Sequence, residues 1–156
     1  MTLPEQERER FCQVLHHSRT SLYRLAFSIT RNSSDAQEAV AEAVCRAYER
    51  YPQLREKEKL PRWLLKITAN EARRLCQRRG RTVSLDDLPT EPAIPGRETG
   101  DDTLWQAVQT LPRDQREAVV LFYYEDLPTE EIARIVGTSP GAVRVRLSRA
   151  REKLRS

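Results

Sequence analysis

The chain has 156 residues, 38% of them hydrophobic, and a formal net charge of +4. This length allows one ordinary domain or two small ones, and the hydrophobic content is low without being typical of disorder. The longest uninterrupted apolar run, Ala118 to Tyr124, is too short to span a bilayer, and the N-terminus has no signal-peptide pattern. We therefore expect a cytoplasmic protein with no membrane insertion.

Catalytic and metal-binding patterns are missing from the sequence. The three cysteines, Cys12, Cys45 and Cys76, are widely spaced, which argues against both a disulfide framework and a zinc site. No nucleophile-base arrangement, phosphate-binding loop or metal-ligand spacing is recognisable. The sequence predicts that the protein is not an enzyme and that it has no catalytic residues, no metal site and no cofactor.

Charge is distributed unevenly along the chain. Residues 1–80 carry 16 basic and 10 acidic side chains, residues 81–102 carry 2 and 6, and residues 103–156 carry 9 and 7. The middle segment also contains three prolines and two glycines, a composition typical of a linker. Two basic blocks separated by an acidic segment predict two nucleic-acid-facing modules, residues 1–80 and 103–156, joined by a flexible linker, residues 81–102.

Three helices are predicted in the first module. Apolar residues from Phe11 to Ile29 recur at helical spacing and predict a long amphipathic helix that ends near Thr30 to Ser33. Ser34, with a glutamine three residues later, is the predicted N-cap of a second helix that Pro52 closes. The charged residues 53–59 are predicted to form a loop, and Pro61 is predicted to open the third helix.

The third helix combines a buried side with a series of arginines. Trp63 is best interpreted as a core anchor. Arg73, Arg74, Arg78 and Arg79 follow with no acid after Glu71. A solvated face would account for such a charge run, but its one-sided sign favours contact with nucleic acid.

Helices are also predicted after the linker. Leu104, Val108 and Leu111 have the spacing of a short helix. Pro112 then restarts helical structure through residues 113–125. For that helix the predicted core side chains are Val119, Phe122 and Tyr123.

Residues 129–155 predict a helix-turn-helix. Thr129 is the predicted N-cap of the first helix, and Gly137 is predicted to end it in the left-handed conformation. Ser139 is predicted to cap the second helix, with Pro140 at its first position. An apolar stripe at helical spacing should bury the second helix against the first. Its members are Val143, Leu147, Ala150 and Leu154.

The second helix of this pair is strongly basic. Away from its apolar stripe it carries five arginines and one lysine against the single acid Glu152. A helix of this size enters the major groove of DNA, where its cations reach phosphates or guanine edges. A solvated basic face is the alternative, but the capped two-helix arrangement together with the charge favours DNA binding.

Three stretches of the chain resemble one protein family. The likeness lies in Leu22–Ala26 with Asp35–Glu42, in Trp63–Asn70, and in Leu111–Glu117 with Val143–Arg155. In combination they are similar to the bacterial sigma-70 family of RNA polymerase initiation factors, in its extracytoplasmic function (ECF) subfamily. The resemblance implies an all-α fold of two small helical domains, sigma domain two at residues 1–80 and sigma domain four at 103–156.

The resemblance also implies a function and partners. The protein would bind core RNA polymerase through the β′ clamp helices and the β flap, recognise the −35 and −10 elements of promoter DNA, and promote DNA melting. A base flipped from the −10 single strand would be captured by the loop at residues 55–60. An anti-sigma factor is a further candidate partner, because a flexible linker makes it easy to hold the two domains in an inactive state.

The resemblance assigns residues to each contact. The residues implied for the −35 major groove are Ser139, Pro140, Gly141, Arg144, Arg146, Ser148, Arg149 and Arg151. Those implied for the −10 single strand are Arg55, Lys57, Lys59, Arg62, Trp63, Lys66, Asn70, Arg73 and Arg74. Those implied for core polymerase are Asp35, Gln37, Glu38 and Glu42, although acidic residues are also common at helix starts.

One alternative function stays open at the level of sequence. A free-standing helix-turn-helix regulator, with an N-terminal dimerisation or sensing module, would bind a palindromic DNA site without polymerase. A sigma factor would bind promoter DNA weakly alone and specifically once core polymerase is added.

Overall fold

A computed structural model describes residues 3–79 and 102–155 of the chain. Within these two ranges the chain forms helices and turns and no strand, as the all-α prediction requires. The predicted linker, apart from Asp102, lies outside the described residues. None of the helices in these ranges is both long enough and apolar enough to cross a membrane.

Residues 3–79, the N-terminal module, form three helices that pack on one another: α1 (Glu5–Thr30), α2 (Ser33–Arg50) and α3 (Leu60–Arg78). Short 3-10 turns, Tyr51–Gln53 and Lys57–Lys59, connect α2 to α3. Pro61 lies in the first turn of α3, as predicted, because that turn needs no backbone donor from it.

The junction between α1 and α2 differs from the prediction. Arg31 takes the left-handed conformation, with φ of 53°, and ends α1. Asn32 is then extended, and its side chain accepts a hydrogen bond of 2.9 Å from the backbone N–H of Asp35. The prediction of Ser34 as the N-cap is wrong, because the asparagine two residues earlier already satisfies that end of the helix.

Residues 102–155, the C-terminal module, contain α4 (Asp102–Gln109), α5 (Arg113–Val119), a π-helical segment (Val120–Tyr124), α6 (Thr129–Val136) and α7 (Pro140–Arg155). The π-helical segment changes which side chains face inward, because a wider turn rotates the residues that follow. Val119 is buried as predicted, but Tyr123 is 50% exposed, so its assignment to the core was wrong.

The turn between α6 and α7 has the predicted form. Gly137 has a φ of +77°, and its N–H donates to the carbonyl of Ala133 at 2.9 Å. The Ser139 hydroxyl accepts a 3.1 Å bond from the N–H of Ala142, which caps α7. Thr129, however, is the first residue of α6, and the preceding Pro128 is its N-cap. The prediction of Thr129 as the N-cap is therefore wrong: the carbonyl of Pro128 accepts the first bonds of α6, from the N–H groups of Glu131 and Ile132, and no side chain caps this end.

The two modules pack directly against each other. Trp105 of α4 is 1% exposed, and its ring centroid lies 6.3 Å from that of Phe27 in α1. Arg116 of α5 donates a 2.7 Å hydrogen bond to the carbonyl of Ser28 in α1. Buried apolar residues therefore form one contiguous core that includes parts of both modules.

Candidate nucleic-acid interface

The exposed face of α3 gathers most of the residues predicted to meet single-stranded DNA. At about 100° per residue, Arg62, Lys66, Asn70 and Arg73 fall within a narrow arc, and Trp63 and Arg74 lie at its edge. The opposite side of α3 is buried in the core. Six of the nine predicted residues thus share one helix face.

Three arginines of this face already form ion pairs. Arg62 lies 3.2 Å from Glu131, and Arg73 lies 3.2 Å from Glu117. Both acids belong to the C-terminal module. Arg74 lies 3.1 Å from Glu71 in its own helix. Two of the predicted DNA contacts are therefore occupied by acids from the other module.

Glu71 is a residue that the sequence reasoning missed. Its side chain is 7% exposed, and the same oxygen lies 3.0 Å from Arg46 of α2 and 3.1 Å from Arg74. A carboxylate between two guanidinium groups restricts both of them. The sequence contained one signal for the pair in α3: Glu71 precedes Arg74 by three residues, a spacing that brings two side chains together on a helix.

The turn between α2 and α3 carries the remaining predicted single-strand contacts. Arg55 is exposed. The ammonium of Lys57 lies 4.0 Å from the ring centroid of Tyr51 and donates to the carbonyl of that residue, while Lys59 lies 3.1 Å from Glu56. Local contacts thus orient both lysines, whereas the arginine points into solvent.

The acidic residues predicted to meet polymerase lie on α2 beside the end of α3. Asp35 lies 3.3 Å from the guanidinium of Arg79, and Glu38 lies 3.1 Å from it. Glu42 lies 3.4 Å from Arg46, and Gln37 is exposed. This face is a surface ion-pair network, with its acids already matched by arginines.

The helix α7 presents a continuous exposed face at helical spacing. Its members are Gly141, Arg144, Val145, Ser148, Arg149, Glu152 and Arg155, so one acid lies among the cations. The buried stripe of Val143, Leu147 and Ala150 lies on the other side, as predicted, and Leu154 is partly buried. Most of the predicted major-groove residues are therefore directed away from the protein.

Two further arginines of α7 are held by neighbouring side chains. Arg146 lies 3.8 Å from Asp114 and is 26% exposed. Arg151 donates a 2.7 Å hydrogen bond to the Tyr123 hydroxyl and lies 5.7 Å from the ring centroid of Phe122. These contacts place both arginines at the edges of the exposed face. Ser139 is exposed and Pro140 half-buried at the start of the helix.

Val145 was also missed by the sequence reasoning. It is 47% exposed, and it lies between Arg144 and Arg149 on the exposed face. Single exposed apolar side chains are common on protein surfaces, and this one has a size and position that would allow contact with a thymine methyl group in a major groove. The sequence could have indicated its exposure, because Val145 does not have the spacing of the apolar stripe of α7.

Burial changes the pKa values of two neighbouring groups in α5. Desolvation, followed by the charges of Arg31 and Arg113, lowers the pKa of Arg116 to about 10. Desolvation raises the pKa of Glu117, against the opposing effect of Arg73. Both groups lie where the two modules meet.

Comparison with known proteins agrees with this architecture. The family model for sigma-70 region 2 matches residues 14–82, and the model for sigma-70 region 4 matches residues 101–154. The RNA polymerase sigma factor SigV of Bacillus subtilis is 33% identical over 135 residues, which cover 85% of this chain and 81% of that protein. The ECF RNA polymerase sigma factor EcfG of Rhodopseudomonas palustris is 32% identical over 139 residues, covering 86% of this chain and 77% of that protein.

Two other curated sigma factors are longer, since the chain spans 36% and 56% of their lengths.

Among solved structures, the sigma factor RpoE of Bartonella quintana, in complex with the anti-sigma factor NepR, is 27% identical with a TM-score of 0.74. The match covers 97% of this chain and 95% of that chain. The chain therefore belongs to the sigma-70 family of RNA polymerase sigma factors, within its ECF subfamily.

Proposed function

We propose that this protein binds core RNA polymerase, recognises the −35 and −10 elements of promoters through its two modules, and promotes melting of the DNA. The observation that carries the proposal is the exposed basic face of α7 on a capped helix-turn-helix, in the same chain as the partly covered basic face of α3. Membership of the sigma-70 family disfavours the alternative of a free-standing regulator.

The −35 element is proposed to be read by α7 in the major groove. Arg144 is suited to donate to a guanine edge, because a guanidinium can bind the two guanine acceptors together. Ser148, one turn further on, and the exposed Val145 complete the base-reading set. The other assigned residues hold the DNA backbone or start the helix. They are Ser139, Pro140, Gly141, Arg146, Arg149 and Arg151.

The −10 element is proposed to be bound as a single strand by α3 and the turn before it. Asn70 offers a donor and an acceptor to a base edge, and the cations of the same face neutralise phosphates. Flipping a base out of the stack costs a few kcal/mol, which these contacts offset. Because the protein binds the separated strand better than the duplex, binding shifts the equilibrium toward the melted state.

Core polymerase is proposed to bind at the acidic face of α2. Asp35, Gln37, Glu38 and Glu42 would meet the β′ clamp helices, and Asp35 and Glu38 would then exchange their pairing with Arg79 for a partner on the polymerase. The C-terminal module is proposed to meet the β flap. An anti-sigma factor is a further proposed partner, supported by the similarity to a sigma factor solved in such a complex.

The proposal gives the protein no reaction of its own, because the polymerase performs the chemistry of initiation. It also places the protein in the cytoplasm, where the polymerase and the chromosome are found.

Run-off transcription with core polymerase on a library of promoter-like DNA tests the proposal. We expect template-specific transcripts that depend on this protein. The absence of template-specific transcripts, together with a failure to copurify with core polymerase, would refute the assignment. Arg144→Ala should change the preference at the −35 element, whereas Arg155→Ala, which removes a cation from the end of the same helix, should leave it unchanged.

A further inference from the structure

Three arginines lie where the end of α1 meets the start of α5: Arg31, Arg113 and Arg116, here called the junction arginines. We propose that they bind the phosphate group of a small molecule, either free orthophosphate or the phosphate of a nucleotide. None of the three belongs to the residues proposed to contact DNA or polymerase. The site is therefore additional to the proposed function.

Arg31 has a backbone conformation that arginine rarely adopts. Its φ of 53° lies in the left-handed region, where a Cβ is strained and where glycine or asparagine is favoured. Among the non-glycine residues that the structure describes, Asp126 alone shares a positive φ. Backbone strain of this kind is concentrated at binding sites, where the position of a side chain matters more than the ease of the turn.

The side chain of Arg31 lacks a protein partner. Its Nε is buried and forms no hydrogen bond within residues 3–79 and 102–155. The carbonyls of the preceding turn are already used, since that of Phe27 accepts from the Arg31 N–H at 2.8 Å and that of Ser28 accepts from Arg116 at 2.7 Å. A buried guanidinium nitrogen requires an acceptor, and an anion would supply one.

The other two junction arginines have donors left for the same ligand. Arg113 is exposed, and no acid in the described part of the chain forms an ion pair with it. Arg116 donates from Nε to the carbonyl of Ser28 and from Nη1 to that of Leu111, each at 2.7 Å, which leaves its Nη2. The planar donor fork of a guanidinium matches the oxygens of a phosphate group.

The charges at this junction are unbalanced. Desolvation is the main reason that the pKa of Arg116 falls to about 10, and the positive charges of Arg31 and Arg113 lower that pKa further. Glu117 opposes the shift, but its carboxylate already lies 3.2 Å from Arg73. An anion among the three cations would offset the repulsion between them.

The burial of the junction arginines favours a small ligand over a macromolecule. Arg116 is 5% exposed and Arg31 is half-buried, so Arg113 alone of the three is open to solvent. A DNA backbone or an acidic peptide binds along an open surface, whereas a single phosphate group needs access from one side only. Its oxygens can accept from several guanidinium groups at once.

Isothermal titration calorimetry of the full chain with orthophosphate tests the site. We expect a dissociation constant of about 1 mM or tighter for the wild type. Arg31→Gln should weaken binding at least about tenfold, because it removes a charged donor. The matched control Arg19→Gln removes the same charge from an exposed position of α1 and should change the affinity by less than about twofold.

Titration with adenosine monophosphate distinguishes the two sources of the phosphate group. An affinity equal to that for orthophosphate would show that the phosphate group alone is recognised. Tighter binding of the nucleotide, lost in Arg31→Gln, would show that the nucleoside adds contacts. Both results would support the proposed site.

A second variant separates loss of the site from loss of the fold. Arg31→Gly removes the guanidinium and suits the left-handed turn, so its Tm in sodium chloride should be close to or above that of the wild type. Replacing the chloride by about 10 mM orthophosphate at equal ionic strength should raise the Tm of the wild type and of Arg19→Gln by about 3–5 °C. The Tm of Arg31→Gly should change by less than about 1 °C.

Absence of orthophosphate binding to the wild type, or equal binding to the wild type and Arg31→Gln, would overturn the proposal. An equal rise in Tm for the wild type and Arg31→Gly would also overturn it, because the stabilisation would then be a general effect of the salt. Neither measurement involves DNA or polymerase, so both are independent of the outcome of run-off transcription.

Discussion

Arg116 is the one lysine or arginine that is buried within residues 3–79 and 102–155. Its pKa of about 10 leaves it protonated at neutral pH, although burial disfavours the charge. Two backbone carbonyls compensate, and one of them, Ser28, lies in the last turn of α1, where the helix dipole favours a cation. A single side chain thus links the end of α1 to the start of α5.

Arg116→Met should lower the free energy of unfolding by about 1–3 kcal/mol, because two carbonyls lose a charged donor. Urea unfolding followed by circular dichroism provides the measurement. Arg113→Met, at an exposed position of the same helix, should change the free energy of unfolding by less than about 0.5 kcal/mol. Equal losses in the two variants would contradict the assigned role of Arg116.

Glu117 should make the stability depend on pH. Burial raises its pKa above the ordinary value of 4.5, with Arg73, Arg113 and Arg146 opposing the shift. As the pH rises from 4.5 through the raised pKa, the folded protein keeps a proton that the unfolded chain has lost. The free energy of unfolding contributed by this group therefore falls as the pH rises through that window.

The Glu117→Gln variant lacks this contribution. The difference between its free energy of unfolding and that of the wild type should therefore shift in favour of the variant as the pH rises across the window. Urea unfolding at a series of pH values measures the difference, and Glu152→Gln controls for the loss of an exposed acid. A difference between Glu117→Gln and wild type that is constant across the series would contradict the prediction.

At the scale of elements, the turn between α6 and α7 decides how α7 is presented. Gly137 lies at a φ of +77°, and a Cβ added there would meet nothing within 4 Å. Only backbone strain would therefore oppose a side chain at this position. Ser139 then caps α7 and sets where its exposed face begins.

Gly137→Ala should lower the free energy of unfolding by about 1–2 kcal/mol, since a left-handed conformation strains any residue with a Cβ. Gly141→Ala, in regular helix, should be neutral or stabilising by up to about 1 kcal/mol. Thermal and urea unfolding compare the two alanine variants. A Gly137→Ala protein as stable as the wild type would show that the turn can relax.

Val145 should contribute to base preference through a thymine methyl group. Replacing the contacted thymine of a −35 duplex by deoxyuridine removes one methyl and should weaken binding by the holoenzyme about fourfold, the value of one buried methylene. Val145→Ser should be insensitive to that replacement, while deoxyuridine outside the element should affect neither protein. Equal sensitivity of wild type and Val145→Ser at every thymine would exclude this contact.

At the scale of the whole molecule, the contiguous core predicts a single unfolding transition. Trp63 reports on the N-terminal module and Trp105 on the contact between modules. In the variants Trp63→Phe and Trp105→Phe, the midpoint of urea unfolding by fluorescence should coincide with that by circular dichroism. Two separated midpoints would show that the modules unfold independently.

Several features of this protein were predictable from local sequence. The positions of the main helices, the glycine turn at Gly137, the cap at Ser139 and the buried stripe of α7 all follow from signals within a few residues. The family was recognisable because three short motifs occur in order, and the comparisons confirm it. Capping and helical periodicity depend on residues within one or two helical turns of each other. A short stretch of sequence is therefore enough to predict them.

Only the tertiary structure decided which charged groups meet. Arg24 and Glu125 are 101 residues apart, and Ser28 and Arg116 are 88 apart. The helical period places an arginine on an exposed face without indicating which distant acid will lie opposite. The π-helical segment, which exposes Tyr123, likewise departs from that period. Local physics therefore determined the helices α3 and α7 and their basic faces. Long-range packing decided that the C-terminal module, which carries α7, covers part of α3.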